Sequence, residues 1–375
     1  MKKIHMVDVV SQYEKYSSQI NKRVLDVIKS GCYIKGKEVD NFEHLLSNYL
    51  DSKHVVSCAN GTDALSIALM SLNLNPGDEV LVPTFTFVST VEAVCLLGLK
   101  PVFLDVHPET FLLDHELIQN KISNKTKVII PVHLFGQCCD MKSIISIAKK
   151  YNLFIIEDAA QSLGSRCLYD QTLNKKFSGT LGHIGITSFY PSKNLGCFGD
   201  GGALFTQNKK LADNIYLLAN HGQKKKYIHD TIGLNSRLDA LQAAVLSFKL
   251  PLLDSCNKIR QYVANQYDKK LKKLTWLHTP VVVNSSDHIY HQYSILLDVQ
   301  INRSDFQNYL VRNGIPTMIY YPKPLHKQKP YMNYEVNALP VSERICNSII
   351  SLPIHPEMDD DQIEFICDAI QNYIS

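Results

Sequence analysis

Apolar residues along this chain change their spacing several times, and each change marks an element. Residues 10–50 carry them at helical intervals, broken at Gly31-Cys32-Tyr33-Ile34-Lys35-Gly36. Behind the cap sequence Asn60-Gly61-Thr62-Asp63, Leu65, Leu69 and Leu72 recur on one face of a predicted helix. Asn75-Pro76-Gly77-Asp78 is a turn leading into a strand over 79–82. Residues 101–105, 127–131 and 153–158 are short, nearly continuous apolar runs, and helical stretches over 89–97 and 141–150 lie between them. Buried strands alternating with helices predict an α/β fold, a mostly parallel sheet covered on both faces. From residue 239 the character changes. Helices over 240–250 and 253–271 are interrupted by Pro251, and a strand over 293–299 mixes with helices over 303–313 and 360–374. The pattern predicts a large domain, 1–250, and a smaller C-terminal α+β domain, 251–375, hinged near Leu250.

Composition narrows the class. The chain has 375 residues, 45% hydrophobic and 20% charged, a profile ordinary for a soluble globular enzyme. A net charge of +3 is far from the basic excess of a nucleic-acid binder. Ten cysteines are scattered without a C-x-x-C pair, which predicts neither a metal site nor a disulfide framework and fits a reducing cytoplasm. The N-terminus reaches Asp8 before any long apolar stretch, so no signal peptide is expected. No run approaches the ~18 apolar residues of a membrane span. The expectation is a cytoplasmic protein with no membrane and no nucleic-acid partner.

Candidate chemistry centres on Lys193, in Ser188-Phe189-Tyr190-Pro191-Ser192-Lys193-Asn194-Leu195-Gly196. A lysine held in a tight turn beside apolar or cationic groups loses its proton readily and forms a Schiff base with an aldehyde. Three features bear on whether it does so. Asn60-Gly61-Thr62 opens a helix, where free N–H groups favour a phosphate, although the same residues serve simple capping. Asp158 ends an apolar run, where a carboxylate either holds a cofactor's pyridine nitrogen or caps the next helix. Phe87, in Pro83-Thr84-Phe85-Thr86-Phe87, either stacks on a ring or belongs to the core. Their order along the chain is that of a pyridoxal 5'-phosphate site.

The chain resembles the sugar-nucleotide aminotransferases of the DegT–StrS family over nearly its full length. The resemblance rests on Cys58-Ala59-Asn60-Gly61-Thr62-Asp63-Ala64-Leu65, Glu157-Asp158-Ala159-Ala160-Gln161, Ser188-Phe189-Tyr190-Pro191-Ser192-Lys193 and Gly199-Asp200-Gly201-Gly202-Ala203. It continues through His221-Gly222-Gln223 and Gly233-Leu234-Asn235-Ser236-Arg237-Leu238-Asp239. It implies the type I (aspartate-aminotransferase) fold, a seven-stranded type of sheet between helices, pyridoxal 5'-phosphate as cofactor and a homodimer. By position, Lys193 would carry the cofactor, Asp158 would pair with its ring nitrogen, and Gly61, Thr62 and Ser188 would hold its phosphate. Gln161 would lie at the ring hydroxyl, Phe87 would stack, and Asn235 would reach the phosphate in the neighbouring subunit. The substrates implied are a nucleotide-linked ketosugar and L-glutamate.

Within the family, the chain is most similar to a subgroup that aminates a UDP-linked 3-oxo uronic acid for bacterial surface polysaccharide. The matching stretches include Phe135-Gly136-Gln137-Cys138 and Tyr321-Pro322-Lys323-Pro324-Leu325. Arg237 is the cation expected at the uronate carboxylate, unless it pairs with Asp239. Tyr320 and Tyr321 are expected beside the sugar, with His326 a minor candidate. Tyr320 stands where that subgroup has histidine, which keeps open a UDP- or dTDP-linked 3-oxo or 4-oxo 6-deoxyhexose. Lys224-Lys225-Lys226 would either screen a diphosphate or form a solvated loop. Lysine at 193 argues against the related sugar 3-dehydratases, which carry histidine there; a cofactor-binding regulatory protein is the non-enzymatic alternative.

Overall fold

The computed structural model describes residues 3–169, 175–334 and 338–373. Helix α1 (Val9–Ser30) starts where the Asp8 carboxylate accepts the Ser11 N–H at 2.9 Å and stops at Gly31, whose φ of 68° only glycine adopts freely. Helix α2 (Lys37–Leu50) follows, and its apolar positions Val39, Phe42, Leu46 and Leu50 form the buried stripe that helical spacing demands. Strand β1 (His54–Cys58) leads into α3 (Gly61–Met70), which is buried along the whole of 64–69. The alternation continues through β2 (Glu79–Pro83), α4 (Ser89–Leu96), β3 (Lys100–Leu104), β4 (Thr126–Ile129), α5 (Met141–Tyr151) and β5 (Phe154–Asp158).

Two further strands, Ile184–Ser188 and Gly202–Thr206, complete a seven-stranded sheet. Its spatial order is β1, Gly202–Thr206, Ile184–Ser188, β5, β4, β2, β3. The pairings of β3 with β2, β2 with β4, β4 with β5, and β5 with Ile184–Ser188 are all parallel. Gly202–Thr206 is antiparallel to both its neighbours, so β1 runs with the rest. The C-terminal ends of the parallel strands therefore share one edge, where α/β folds place ligands. The sequence pattern anticipated β2 to β5 within a residue or two at each end; the strands His54–Cys58 and Ile184–Ser188 were not among its expectations. Apolar clusters cover both faces of the sheet, one built on α3 and α4, the other on α5 and the loop after β4.

Helix α6 (Lys209–Leu218) returns to the sheet, and α7 (Ala240–Lys249) packs on α1 and α2. A single 3-10 turn, Leu250–Leu252, with Pro251 inside it, separates α7 from α8 (Leu253–Leu271). Beyond α8, strands Leu277–His278, Tyr293–Leu297 and Ile349–Leu352 form a small antiparallel sheet. Its core includes Tyr267, Tyr293, Phe306, Ile350 and Ile366, and it also takes in Ile4 from the other end of the chain. Leu325, Tyr331 and Leu339 pack instead into the α3 side of the large sheet. Among the described residues no helix is long and apolar enough to cross a membrane.

Candidate active site

Register builds the first part of the site. Gly202 pairs with Cys58 on one side and with Ser188 on the other, so three strand ends lie in line at one edge. The chain leaving Cys58 turns directly into α3, with Asn60 accepting the Asp63 N–H at 2.8 Å. That turn lies so close to its neighbours that only glycines fit. A Cβ on Gly61 would stand 2.9 Å from Ser188 Cβ, and one on Gly202 would stand 2.5 Å from the Asn60 carbonyl. The Thr62 hydroxyl bonds Ser89 Oγ at 2.6 Å, tying α3 to α4. Gly61, Thr62 and Ser188 thus converge at the N-terminal end of α3, where free N–H groups and the helix dipole suit a phosphate.

The second part is a buried carboxylate facing a lysine. Asp158, 6% exposed, ends β5 and accepts hydrogen bonds from the Ala160 N–H at 3.1 Å and the Thr90 hydroxyl at 3.0 Å. Burial pushes its carboxyl above the usual range, against those two bonds and the nearby Lys193 charge. Lys193 sits in a turn closed by its own N–H to the Tyr190 carbonyl and by Cys197 N–H to the Phe189 carbonyl, both 2.8 Å. Burial lowers its ammonium pKa to about 8, although Asp158 pulls the other way. Lys249 braces the turn from behind, donating to the Gly196 carbonyl at 2.5 Å.

Between these parts, Gln161 and Tyr321 meet. Gln161 accepts the Phe135 N–H at 2.8 Å and donates to the Tyr321 hydroxyl at 3.2 Å, so its amide orientation is fixed. Phe87 lies 6.3 Å from the Tyr321 ring and is 54% exposed, unlike the buried Phe85, so it offers a free face. The other expected residues lie apart. Tyr320 is half-buried near Tyr190. His326 is buried, with Nδ1 on the Thr84 hydroxyl at 2.7 Å and Nε2 on Glu343 at 3.3 Å, so both nitrogens are engaged within the protein. Asn235 is exposed, while its neighbour Ser236 is buried and accepts the Ala59 N–H at 3.1 Å. Arg237 lines a cleft with Lys35, Asp40, Glu43 and Tyr216, and among the described residues it pairs with no acid, Asp239 included.

Sequence reasoning missed Thr90, Ser89 and the pair beneath Asp158. There Glu157 is fully buried, accepts His133 Nε2–H at 2.9 Å and takes backbone N–H groups from Gly179 and Leu181. His133 Nδ1 accepts the Cys139 N–H at 3.2 Å, which makes Nε2 the protonated nitrogen. Ser89-Thr90 reads in sequence as an ordinary helix start, and no local signal announces its partners.

Pyridoxal phosphate fits these residues: a phosphate cradle that any Cβ would fill, a buried carboxylate that closes no ion pair among the described residues, and a lysine of lowered basicity. Fold and site together define a pyridoxal phosphate-dependent transferase of the type I fold. Residues 14–371 match the DegT/DnrJ/EryC1/StrS aminotransferase family, and the chain belongs to it. It is 43% identical over 369 residues to a UDP-2-acetamido-2-deoxy-3-oxo-D-glucuronate aminotransferase of Pseudomonas aeruginosa, covering 98% of this chain and 100% of that one. It is 41% identical over 359 residues to a dTDP-3-amino-3,6-dideoxy-alpha-D-galactopyranose transaminase of Aneurinibacillus thermoaerophilus, covering 96% of each. Among solved structures, DesV of S. venezuelae in complex with a ketimine intermediate superposes with a TM-score of 0.95 at 34% identity, covering 100% of both chains. This protein is a pyridoxal phosphate-dependent aminotransferase acting on a nucleotide-linked ketosugar.

Proposed function

We propose that the enzyme aminates C3 of a nucleotide-linked 3-oxo hexose, with L-glutamate as donor, in a homodimer whose sites are shared between subunits. The observation that carries this reading is the convergence of Lys193 and Asp158 beside the Gly61–Ser188 cradle. The names of both relatives above place the nitrogen at position 3, which supports C3. When bound, the cofactor supplies the electron sink that makes the donor's Cα–H acidic. Asp158 would hold the ring nitrogen in its cationic form, and Gly61, Thr62 and Ser188 would hold the phosphate. Gln161 would lie at the ring edge and Phe87 would stack on its face. Lys193 Nζ takes the proton from the donor's Cα and, in the second half-reaction, delivers one to C3 of the sugar. Asn235, exposed beside the buried Ser236, is available to a second copy. We place the domain boundary at 250/251, in the turn that contains Pro251, and the enzyme in the cytoplasm, making precursors for surface polysaccharide.

At C6 the two relatives differ, one name giving a uronate and the other a dideoxy sugar. Tyr320, half-buried near Tyr190, offers a phenol and no cation, which favours an uncharged C6, as in a 6-deoxyhexose. The uronate is the second reading, favoured by the 43% identity and by an Arg237 free of any acid partner among the described residues. A panel decides between them: UDP-linked 3-oxo uronate, dTDP-linked 3-oxo 6-deoxyhexose and UDP-linked 4-oxo sugar, each with glutamate, read as 2-oxoglutarate released. Turnover of the 4-oxo sugar alone would refute C3. If the uronate is the substrate, Arg237→Ala should raise its KM by tenfold or more, on the order of the 1.5–3 kcal/mol of a charged hydrogen bond.

A further inference from the structure

Lys193 is followed by Asn194, whose amide is held in one orientation. Its Nδ2 donates to the Ile289 carbonyl at 3.4 Å, an atom that only accepts, and to Asn257 Oδ1 at 2.7 Å. Asn257 is oriented in turn, since its Nδ2 reaches the Leu163 carbonyl at 3.4 Å. Asn194 Oδ1 is therefore the atom that faces His291 Nδ1, at 3.2 Å, and it can only accept. The His291 ring must carry its proton on Nδ1. Its Nε2 is then a bare lone pair, and among the described residues it has no hydrogen-bond partner, although the side chain is 4% exposed.

The backbone at His291 is pinned as firmly. Ile289 N–H donates to the Gly136 carbonyl at 3.0 Å, and a Cβ on Gly136 would stand 3.0 Å from the His291 nitrogen. Gln292 N–H donates to the Phe135 carbonyl at 3.4 Å, and Phe135 N–H is the group that Gln161 holds. A hydrogen-bonded path thus runs from Tyr321 through Gln161, the 135–136 backbone and His291 to the residue next to Lys193. Burial, with the Lys193 and Arg260 charges, keeps the imidazole neutral.

We propose that His291 is a positioning residue for Lys193: locked by Asn194 as the Nδ1–H tautomer, it offers bare Nε2 to the lysine whenever that amine carries a proton. The inference rests on Lys193 being the cofactor-bearing amine. Each transamination loads a proton onto Lys193 and removes it again. A neutral acceptor of fixed orientation steadies the ammonium without adding a charge that would trap it. The titratable and charged groups around this pair are Asp158 at the end of β5, His133, Tyr321 and Arg260 from α8.

The test is the pH dependence with which full-length apoenzyme captures added pyridoxal phosphate, followed by absorbance and by borohydride fixation on Lys193. His291→Leu removes the acceptor, so the midpoint should fall by about half a pH unit or more, a rise of about threefold in capture rate at pH 7. Asn194→Asp adds a negative charge and should raise the midpoint by about one unit. His291→Gln, which keeps an acceptor, should stay near wild type. Circular dichroism and melting temperature establish folding; should His291→Leu not fold, Asn194→Asp and His291→Gln decide. Nitrogen NMR of the His291 ring should show Nδ1 protonated and Nε2 bare. An unchanged midpoint in folded His291→Leu or in Asn194→Asp, a shifted one in His291→Gln, or a protonated Nε2 overturns the proposal. Wild-type apoenzyme that fixes no cofactor on Lys193 at any pH overturns the role of Lys193 itself, and this proposal with it.

Discussion

Burial drives Lys193 and Asp158 toward their uncharged forms, while the charge of each pulls the other back. For the lysine the outcome is a folded-state pKa of about 8 against an ordinary value of 10.5. Between those limits the unfolded chain binds more protons than the folded one, so this residue costs the apoprotein stability below pH 8 and the cost fades as pH rises toward 10.5. Lys193→Met should therefore make the apoprotein more stable at pH 7, by on the order of 1–3 kcal/mol, with the gain disappearing near pH 10. Urea denaturation at the two pH values checks this, and an equal gain at both would contradict it. Thr90→Val removes a hydroxyl of similar size from a buried carboxylate. Cofactor affinity should fall by about tenfold, in keeping with the ~1.5 kcal/mol of a hydrogen bond to a charged group, and equilibrium dialysis measures it.

At the scale of elements, the phosphate cradle depends on how closely Gly202–Thr206 lets the start of α3 approach. Gly202→Ala puts a Cβ against the Asn60 carbonyl, so α3 must withdraw. We expect a loss of about 1–3 kcal/mol in stability from this overpacking and a larger loss in cofactor affinity. A melting curve and a cofactor titration on the same sample separate the two effects, and undiminished affinity would disprove the close approach. Strands β2 to β5 and most of the helices were legible in the sequence because their apolar spacing is local, whereas β1, Ile184–Ser188 and α6 were not singled out. The direction of Gly202–Thr206 was not legible either. All five of its residues are buried, the pattern of any central strand, and only pairing across the sheet makes it antiparallel. The same distinction runs through the site. Lys193, Asp158 and Gly61 stand in contiguous motifs, whereas Thr90, Glu157 with His133, and His291 owe their places to partners far along the chain, which a reading by segments does not join.

For the whole molecule, the proposed homodimer with sites shared between copies makes a specific prediction. Lys193→Ala and Asn235→Asp variants should each be inactive alone. Co-expressed, they form mixed dimers in which one of the two sites has both residues intact. Random pairing then restores about a quarter of wild-type activity per chain. If the mixture stays inactive while mixed dimers are present, Asn235 does not serve a partner's site. The antiparallel strand has one more consequence. Because Gly202 pairs with Ser188, the segment that carries Lys193 leaves the sheet and re-enters it at adjacent positions, like a drawer whose two rails are fixed side by side. The residues between the rails belong to no strand of the sheet. A change of residue there can redirect the chemistry while every strand keeps its register, so new reactions can arise on this scaffold one side chain at a time.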